Sequence, residues 1–197
     1  EIRRGARERR GQVWGSWAPV DIAMLCGALG KTTSPGGVDS SSVRRFLRVV
    51  AQGVALTRWS GFSAQELANA FSTLGSWDAV PPLLMRKTLA KLQKHRDMFG
   101  PQECCVVILA ATKGGAPREL VRPVLQAAVE DAAKKQLRGY NSVDLFNLMW
   151  SLGARGAADA AGEMYKDADM ILAARGFIAQ VVERARSDMK SFKPEEL

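Results

Sequence analysis

The sequence is poor in residues that several classes of protein require. Its three cysteines, Cys26, Cys104 and Cys105, form neither an even set nor a Cys-x-x-Cys pair, which argues against a disulfide-stapled secreted domain and favours a reducing compartment. The single histidine, His95, lies in the charged run QKHRD, so we expect it to face solvent rather than help form a multi-histidine metal site. Tyrosine and threonine are scarce beside alanine, leucine, arginine and lysine, a composition that favours helix over an all-β fold.

Long apolar runs and recognisable catalytic sets are also missing. No run reaches the roughly eighteen apolar residues of a membrane-spanning helix, so we expect no membrane insertion. The segment 27–32 (GALGKT) resembles a phosphate-binding loop, but Leu25 replaces its first glycine and a helix is expected where a strand is needed. No Ser/His/Asp set or catalytic carboxylate pair can be assigned. The sequence therefore predicts a protein that is not an enzyme and that has no cofactor or metal.

Positive charge is what the chain has in excess. Its net charge of +8 and pI near 9.8 favour polyanionic partners such as RNA, DNA or anionic membranes, the alternative being a charge that serves solubility alone. The first ten residues, EIRRGARERR, contain five arginines. We interpret residues 1–16 as a basic N-terminal arm: a remnant near a transit-peptide cleavage point, an RNA-contacting tail or a solvated charge run.

A short pattern recurs along the chain, an aromatic residue followed four positions later by Asp or Glu. It occurs in 17–22 (WAPVDI), 62–67 (FSAQEL), 99–104 (FGPQEC), 140–145 (YNSVDL) and 192–197 (FKPEEL), with starts 45, 37, 41 and 52 residues apart. Such spacings are typical of helix-pair repeats with variable loops. The pattern predicts units that start near 17, 62, 99 and 140 and fill 17–191, with 192–197 as the truncated start of a further repeat. We therefore expect the natural protein to continue beyond Leu197.

Each copy of the pattern has the chemistry of a helix start. Ser63 or Asn141 can cap the helix, and Pro19, Pro101 or Pro194 suits the first turn. The acid falls at the third helical position, and the aromatic can fold back as a hydrophobic staple. Apolar residues then recur at spacings of four and three until a glycine, expected to end the helix in a left-handed conformation. These glycines are Gly30, Gly75 and Gly153, delayed to Gly114 and Gly115 in the third unit.

A second helix is expected in every unit, over 41–56, 82–97, 118–136 and 158–174, with an additional amphipathic helix at about 176–190. One hairpin cannot bury its apolar face alone. We therefore predict an all-α fold in which antiparallel helical hairpins stack as an α-solenoid; the alternative is a compact irregular bundle of the same helices.

The segments FSAQELANAFSTLG and YNSVDLFNLMWSLG resemble the degenerate repeats of octotricopeptide-repeat proteins and of the related FAST-kinase-like and RAP-domain proteins. Their first helices read aromatic-x-x-x-Glu-Leu-x-Asn, followed by an apolar stretch that ends near Leu-Gly. The matching residues are Phe62, Glu66, Leu67, Asn69 and Leu74 in one copy and Tyr140, Asp144, Leu145, Asn147, Trp150 and Leu152 in the other. Met24 and Val106 replace the asparagine in the remaining copies.

The resemblance implies RNA binding in a mitochondrion, or alternatively a plastid. Some members of the family process or stabilise transcripts, and others are built into mitochondrial ribosomes. No RAP domain or nuclease signature is visible in this sequence. The resemblance therefore implies a non-catalytic protein that contacts ribosomal RNA or an organellar transcript and other proteins of a large assembly.

The second helices carry the candidate RNA-binding residues. Stacking of the units is expected to align them in a basic stripe suited to phosphate contacts, the alternative being ordinary solvated helix faces. The residues are Arg45, Arg48, Arg86, Lys87, Lys91, Lys94, Arg118, Arg122, Lys134, Lys135 and Arg138.

Other residues leave two interpretations open. We expect most of the five tryptophans (Trp14, Trp17, Trp59, Trp77 and Trp150) to pack at repeat junctions, with base stacking as the alternative. Asn69 and Asn147 are expected to tie one repeat to the next rather than read a base.

The sequence thus leads to three functional hypotheses. The first is an organellar RNA-binding repeat protein, plausible as a structural component of a mitochondrial ribosome that contacts rRNA backbone. The second is a protein-binding scaffold or accessory subunit of an organellar membrane or respiratory complex. The third is a regulator that recruits a nuclease to a transcript. Because the fold suits all three, the choice depends largely on the resemblance.

Overall fold

The computed structural model describes residues 18–31, 40–57, 61–77, 79–158 and 168–191, which form eight α-helices and contain no strand. The all-α prediction is confirmed. A short 3-10 turn, Arg96–Met98, follows the fourth helix. The helices are α1 (Pro19–Lys31), α2 (Ser40–Thr57), α3 (Ala64–Ser76), α4 (Pro82–Lys94), α5 (Pro101–Lys113), α6 (Arg118–Lys134), α7 (Ser142–Ala158) and α8 (Ala168–Ser191).

The helices pack in two series. The first helices of the units contact one another in the order α1, α3, α5 and α7, and the second helices in the order α2, α4, α6 and α8. Within a unit the two helices of the hairpin also touch, but the most extensive contacts join first helices of successive units. Packing is therefore dominated by neighbouring units rather than by one central helix.

The helix starts have the predicted chemistry. Ser63 accepts a bond from the Glu66 amide at 3.3 Å, and the Glu66 carboxylate accepts one from the Ser63 amide at 2.8 Å, completing a capping box. Asn141 and Asp144 make the same reciprocal pair at 2.9 and 3.0 Å. Pro19 and Pro101 begin their helices, as expected. The starts at Trp17 and Phe192 lie outside the described residues.

The staple aromatics anchor these starts in the core. Phe62, Phe99 and Tyr140 are all buried, and each lies directly before the first turn of a first helix. The repeated apolar positions behind them, such as Phe71 and Ile108, are fully buried between successive units. Burial of one such side chain contributes about 1.5–3 kcal/mol, so the packing between units carries much of the stability.

The glycines predicted to end the first helices have another role. Gly75 and Gly153 lie inside α3 and α7, neither has a positive φ, and Gly30 is also within α1, so the prediction of left-handed helix ends was wrong there. A Cβ atom on Gly75 would lie 2.9 Å from the Cβ and 3.1 Å from the Cα of Ala110 in α5. Glycine at this position therefore permits close approach of two helices. Only in the third unit does the left-handed prediction hold, at Gly115 with φ of 66°.

The last second helix also differs from expectation. Separate helices over 158–174 and 176–190 were predicted, but α7 extends to Ala158 and α8 is one helix of 24 residues that passes through Gly176. Contacts with the end of α6 and with the turn that follows it accompany this continuity. Gln180 donates to the carbonyl of Ala133 at 3.1 Å, and Arg184 donates to the carbonyls of Leu137 and Tyr140 at 3.4 and 3.0 Å. Tertiary contact thus outweighs the helix-breaking tendency of one glycine.

We predict opposite effects for the same substitution at the two equivalent glycines. Gly75→Ala should lower the free energy of unfolding by about 1–3 kcal/mol, because the new methyl group meets the backbone and Cβ of Ala110. Gly153→Ala should raise it by about 0.5–1 kcal/mol, because nothing lies within 4 Å and alanine is the better helix former. Urea unfolding of both variants measures the difference, and equal effects would contradict the close α3–α5 contact.

Candidate nucleic-acid interface

Positive charge is concentrated on the second helices, above all on α2 and α4. These two helices contain seven Arg or Lys residues and no Asp or Glu. In contrast, α3 carries a single charged residue, Glu66. Because α2 and α4 contact each other, their outer faces lie on neighbouring helices and together make a surface that carries these basic residues and also exposes Phe46, Val49 and Leu83. We call this surface, with Arg44, Arg45, Arg48, Arg86, Lys87 and Lys94, the α2–α4 basic face.

On α2, the predicted residues Arg45 and Arg48 are exposed, opposite the buried Val43 and Leu47. Arg44 is exposed as well and was not among the predicted residues. Its spacing of four from Arg48 is the sequence signal that could have found it, since residues four apart share a helix face.

On α4, three of the four predicted residues belong to the basic face and one does not. Arg86, Lys87 and Lys94 are exposed. Lys91 is half-buried, and its Nζ donates to the Phe62 carbonyl at 2.8 Å, directly before the capped start of α3. Lys91, predicted to belong to the same basic stripe as Lys87 and Lys94, is therefore turned away from these two exposed residues. Lys91 instead ties the end of α4 to the start of α3.

On α6, the predicted residues share their surroundings with acids. Arg118 and Arg122 are half-buried, and the exposed Glu119 and Glu130 are carried by the same helix. Lys134, Lys135 and Arg138 are exposed at its end, where Lys135 forms an ion pair with Asp131 at 2.9 Å. The uniform stripe expected along all units thus becomes a mixed-charge surface at α6.

Asp131 is held ionised at this end of α6. Burial works to raise the pKa of its carboxyl, but bonds from Lys135 and Tyr140, with the positive charge of Arg96, lower it overall. The Tyr140 hydroxyl donates to Asp131 at 2.9 Å, and burial together with this carboxylate raises the tyrosine pKa. The network joins α6 to the start of α7, so it is structural.

The outer surface of the first helices is largely apolar or uncharged. Met24 on α1 and Val143 and Phe146 on α7 are exposed by 69%, 65% and 62%. Trp150 is partly exposed, with Lys113 Nζ 5.3 Å from its ring centroid, whereas Trp77 packs against the core. Trp14, Trp17, Trp59 and the arm 1–16 lie outside the described residues.

The two asparagines at the same repeat position, Asn69 and Asn147, have different surroundings. Asn147 is buried on α7, whereas Asn69 is exposed on α3 beside an open groove formed with α1. The same repeat position therefore faces the interior in one unit and solvent in another.

The histidine and the cysteines are the remaining residues that could carry site chemistry. His95 is exposed, as expected. All three cysteines are buried, which raises the thiol pKa of Cys26 and of Cys104 to about 11. Segment 27–31 of the loop-like motif is helical in α1. In the described ranges, no group of three potential metal-binding side chains occurs. None of the described helices is long and apolar enough to cross a membrane.

Comparison of the chain with known protein families, curated proteins and solved structures finds no match.

We predict that two lysines of α4 differ in their effect on stability. Lys91→Ala should lower the free energy of unfolding by about 1 kcal/mol, because it removes a charge-assisted bond at a partly buried site. Lys94→Ala, three residues away and exposed, should change it by less than about 0.5 kcal/mol. Chemical denaturation measures both values. Indistinguishable midpoints would mean that the bond to Phe62 contributes nothing.

The Asp131–Tyr140 bond should make stability depend on pH. Because the folded-state pKa of Asp131 is lowered, its contribution is present above the unfolded value of about 3.9 and is lost as pH falls through the folded pKa. Tyr140→Phe should therefore lower the free energy of unfolding by about 1 kcal/mol at neutral pH and by less below about pH 4. Denaturation across this pH range measures the difference, and a constant difference would contradict the bond to an ionised carboxylate.

Proposed function

We propose that this chain is an organellar RNA-binding helical-repeat protein, which contacts rRNA backbone as a structural component of a mitochondrial ribosome and catalyses no reaction. The observation that carries this proposal is the α2–α4 basic face. Two neighbouring helices with seven basic residues and no acid make a surface of one sign. Phosphate backbones are the polyanions that such a surface binds best.

The composition of the basic face favours backbone contacts over base reading. Its exposed cations are arginines and lysines, which neutralise phosphates irrespective of sequence. Arginine can additionally bind phosphate through two parallel hydrogen bonds. We therefore expect binding with weak sequence preference and strong dependence on salt.

An α-solenoid is the proposed form of the array. The contact order α1–α3–α5–α7 and α2–α4–α6–α8 supports it, because the extensive contacts then join neighbouring units. Such an array presents the second helices side by side, so a charged face on successive units becomes one extended surface.

The proposed location in an organelle and in a ribosome rests on the resemblance of two repeats to a known family. The two sharpest repeats, 62–75 and 140–153, are similar to those of octotricopeptide-repeat proteins, some of which belong to mitochondrial ribosomes. A first-helix surface with few charges, together with a basic face on the second helices, suits a protein that contacts both RNA and neighbouring proteins. This architecture supports a structural role and needs no catalytic group.

A protein-binding scaffold is the second candidate function. The exposed Val143 and Phe146, three residues apart on α7, favour it, because apolar side chains grouped on a helix surface are typical of protein contacts. In that case the partner is a protein of an organellar complex, and RNA binding is absent.

Charge reversal on α4 tests RNA binding. We expect Lys87→Glu with Lys94→Glu to weaken binding to a labelled mixed-sequence single-stranded RNA at least tenfold and to reduce the salt slope by about 1.4, at about 0.7 for each lost phosphate contact. Lys91 is left unchanged because it supports the fold.

The matched control makes the same charge change at two exposed positions of α8, Arg175→Glu with Arg186→Glu. This control should bind nearly as the unmodified chain does. Equal losses of RNA affinity in both variants would show that binding depends on the net charge of the chain and not on the α2–α4 basic face. Absence of binding by the unmodified chain at low salt would overturn the proposal and favour the scaffold.

A further inference from the structure

An aromatic side chain is exposed among the cations of α2. Phe46, with an exposed fraction of 43%, directly follows Arg44 and Arg45, and Arg48 lies two positions further on. In the described parts of the second helices, the other aromatic side chain is Phe177 of α8, and it is fully buried. Phe46 is therefore the one aromatic ring that these parts expose beside the α2–α4 basic face.

The position of Phe46 around α2 follows from its spacing to the core residues. Val43, Leu47 and Val50 are buried and mark the side of α2 that faces the core. A helix turns by about 100° per residue, so Arg45, two positions from both Val43 and Leu47, points almost directly away from the core. Phe46 is three residues from Val43 and four from Val50, which places it on the flank of the core side. Its ring is thus partly packed and partly open, next to an outward arginine.

Single-stranded RNA presents both groups that this arrangement can contact. An exposed base can lie against an aromatic ring while the neighbouring phosphates contact cations. In an RNA duplex the bases are paired and stacked on one another, so the ring would meet no base face. Stacking on a ring is tolerated by every base, which agrees with the weak sequence preference expected of the basic face.

A membrane with anionic lipids is another polyanionic surface that offers apolar contacts. A helix that lies in such a membrane turns its apolar side towards the acyl chains, and its cations reach the headgroups from the edges. On α2 the order differs, because Arg45 points outward and Phe46 lies on the flank. This order favours a strand that lies across the arginines and turns one base towards the ring.

We propose that Phe46 is a base-stacking residue and that the RNA bound at the α2–α4 basic face is single-stranded. A base lies on the exposed part of the Phe46 ring while arginines of α2 contact phosphates of the same strand. This inference rests on the proposed function, because it requires RNA at the basic face. It adds the class of RNA and a contact whose strength does not depend on charge.

Replacement of the ring by an aliphatic side chain tests the stacking. Phe46→Leu keeps an apolar group on the flank of α2, so the helix retains its packing. We expect the affinity for a labelled mixed-sequence single-stranded RNA to fall about fivefold or more at each salt concentration. The salt slope should not change, because no phosphate contact is lost. Affinity for a duplex of the same sequence should also stay unchanged, and Phe46→Tyr should restore binding of the single strand.

Two matched controls separate the ring from other apolar surface. Leu83→Ala removes an exposed apolar side chain of the same exposed fraction, 43%, from α4. Phe146→Leu makes the identical substitution at an exposed phenylalanine of α7, outside the basic face. Both variants should bind single-stranded RNA as the unmodified chain does.

The other outcomes overturn the inference in distinguishable ways. Unchanged affinity of Phe46→Leu for the single strand would show that the ring contacts no base, and the proposed function would stand. Equal losses for single strand and duplex would show that Phe46 only supports the shape of α2. If the unmodified chain binds no RNA at low salt, the proposed function fails as well. Sedimentation with phosphatidylglycerol vesicles in that case, weakened by Leu83→Ala, would identify a membrane as the partner.

Discussion

The contact between first helices of successive units is the interaction on which the rest of the structure depends. At its tightest described point, Gly75 of α3 accepts the Ala110 side of α5 at a distance that leaves no room for a Cβ atom. Around this point, Phe71 and Ile108 are removed from water. Each hairpin alone would leave these side chains exposed, so the units are stable only together. The position of every second helix, and of its charges, follows from this packing.

The two helix series consequently present different chemistry. The first helices use most of their apolar residues in contacts between units, and the surface that remains is largely uncharged or apolar, as at Phe146. The second helices need only one apolar stripe, which leaves a broad face for charge. On α2 and α4 every charged residue is basic, whereas α6 also carries acids such as Glu119. A polyanion would therefore meet the amino-terminal half of the array most favourably.

The sequence predicted the local features well because they arise from neighbouring residues. The capping box at Ser63 and Glu66, the reciprocal pair at Asn141 and Asp144, and the helical period that follows are all encoded within a few positions. The same holds for the second helices α2, α4 and α6, whose bounds lie close to prediction. The basic face was partly predictable for this reason, because the helical spacing of apolar residues along α2 and α4 already separates Arg45 and Lys87 from the core.

Where prediction was wrong, a contact distant in sequence was responsible. Lys91 looks like its neighbours Lys87 and Lys94, but the antiparallel return of the chain brings the Phe62 carbonyl to its ammonium group. Gly75 looks like a helix end, but its role is set by Ala110 on another helix. The sequence by itself determined the helices, their starts and their charge pattern, because these depend on spacing and capping. Only the tertiary structure decided which lysine faces solvent and which glycine is covered, because these depend on residues brought together by packing.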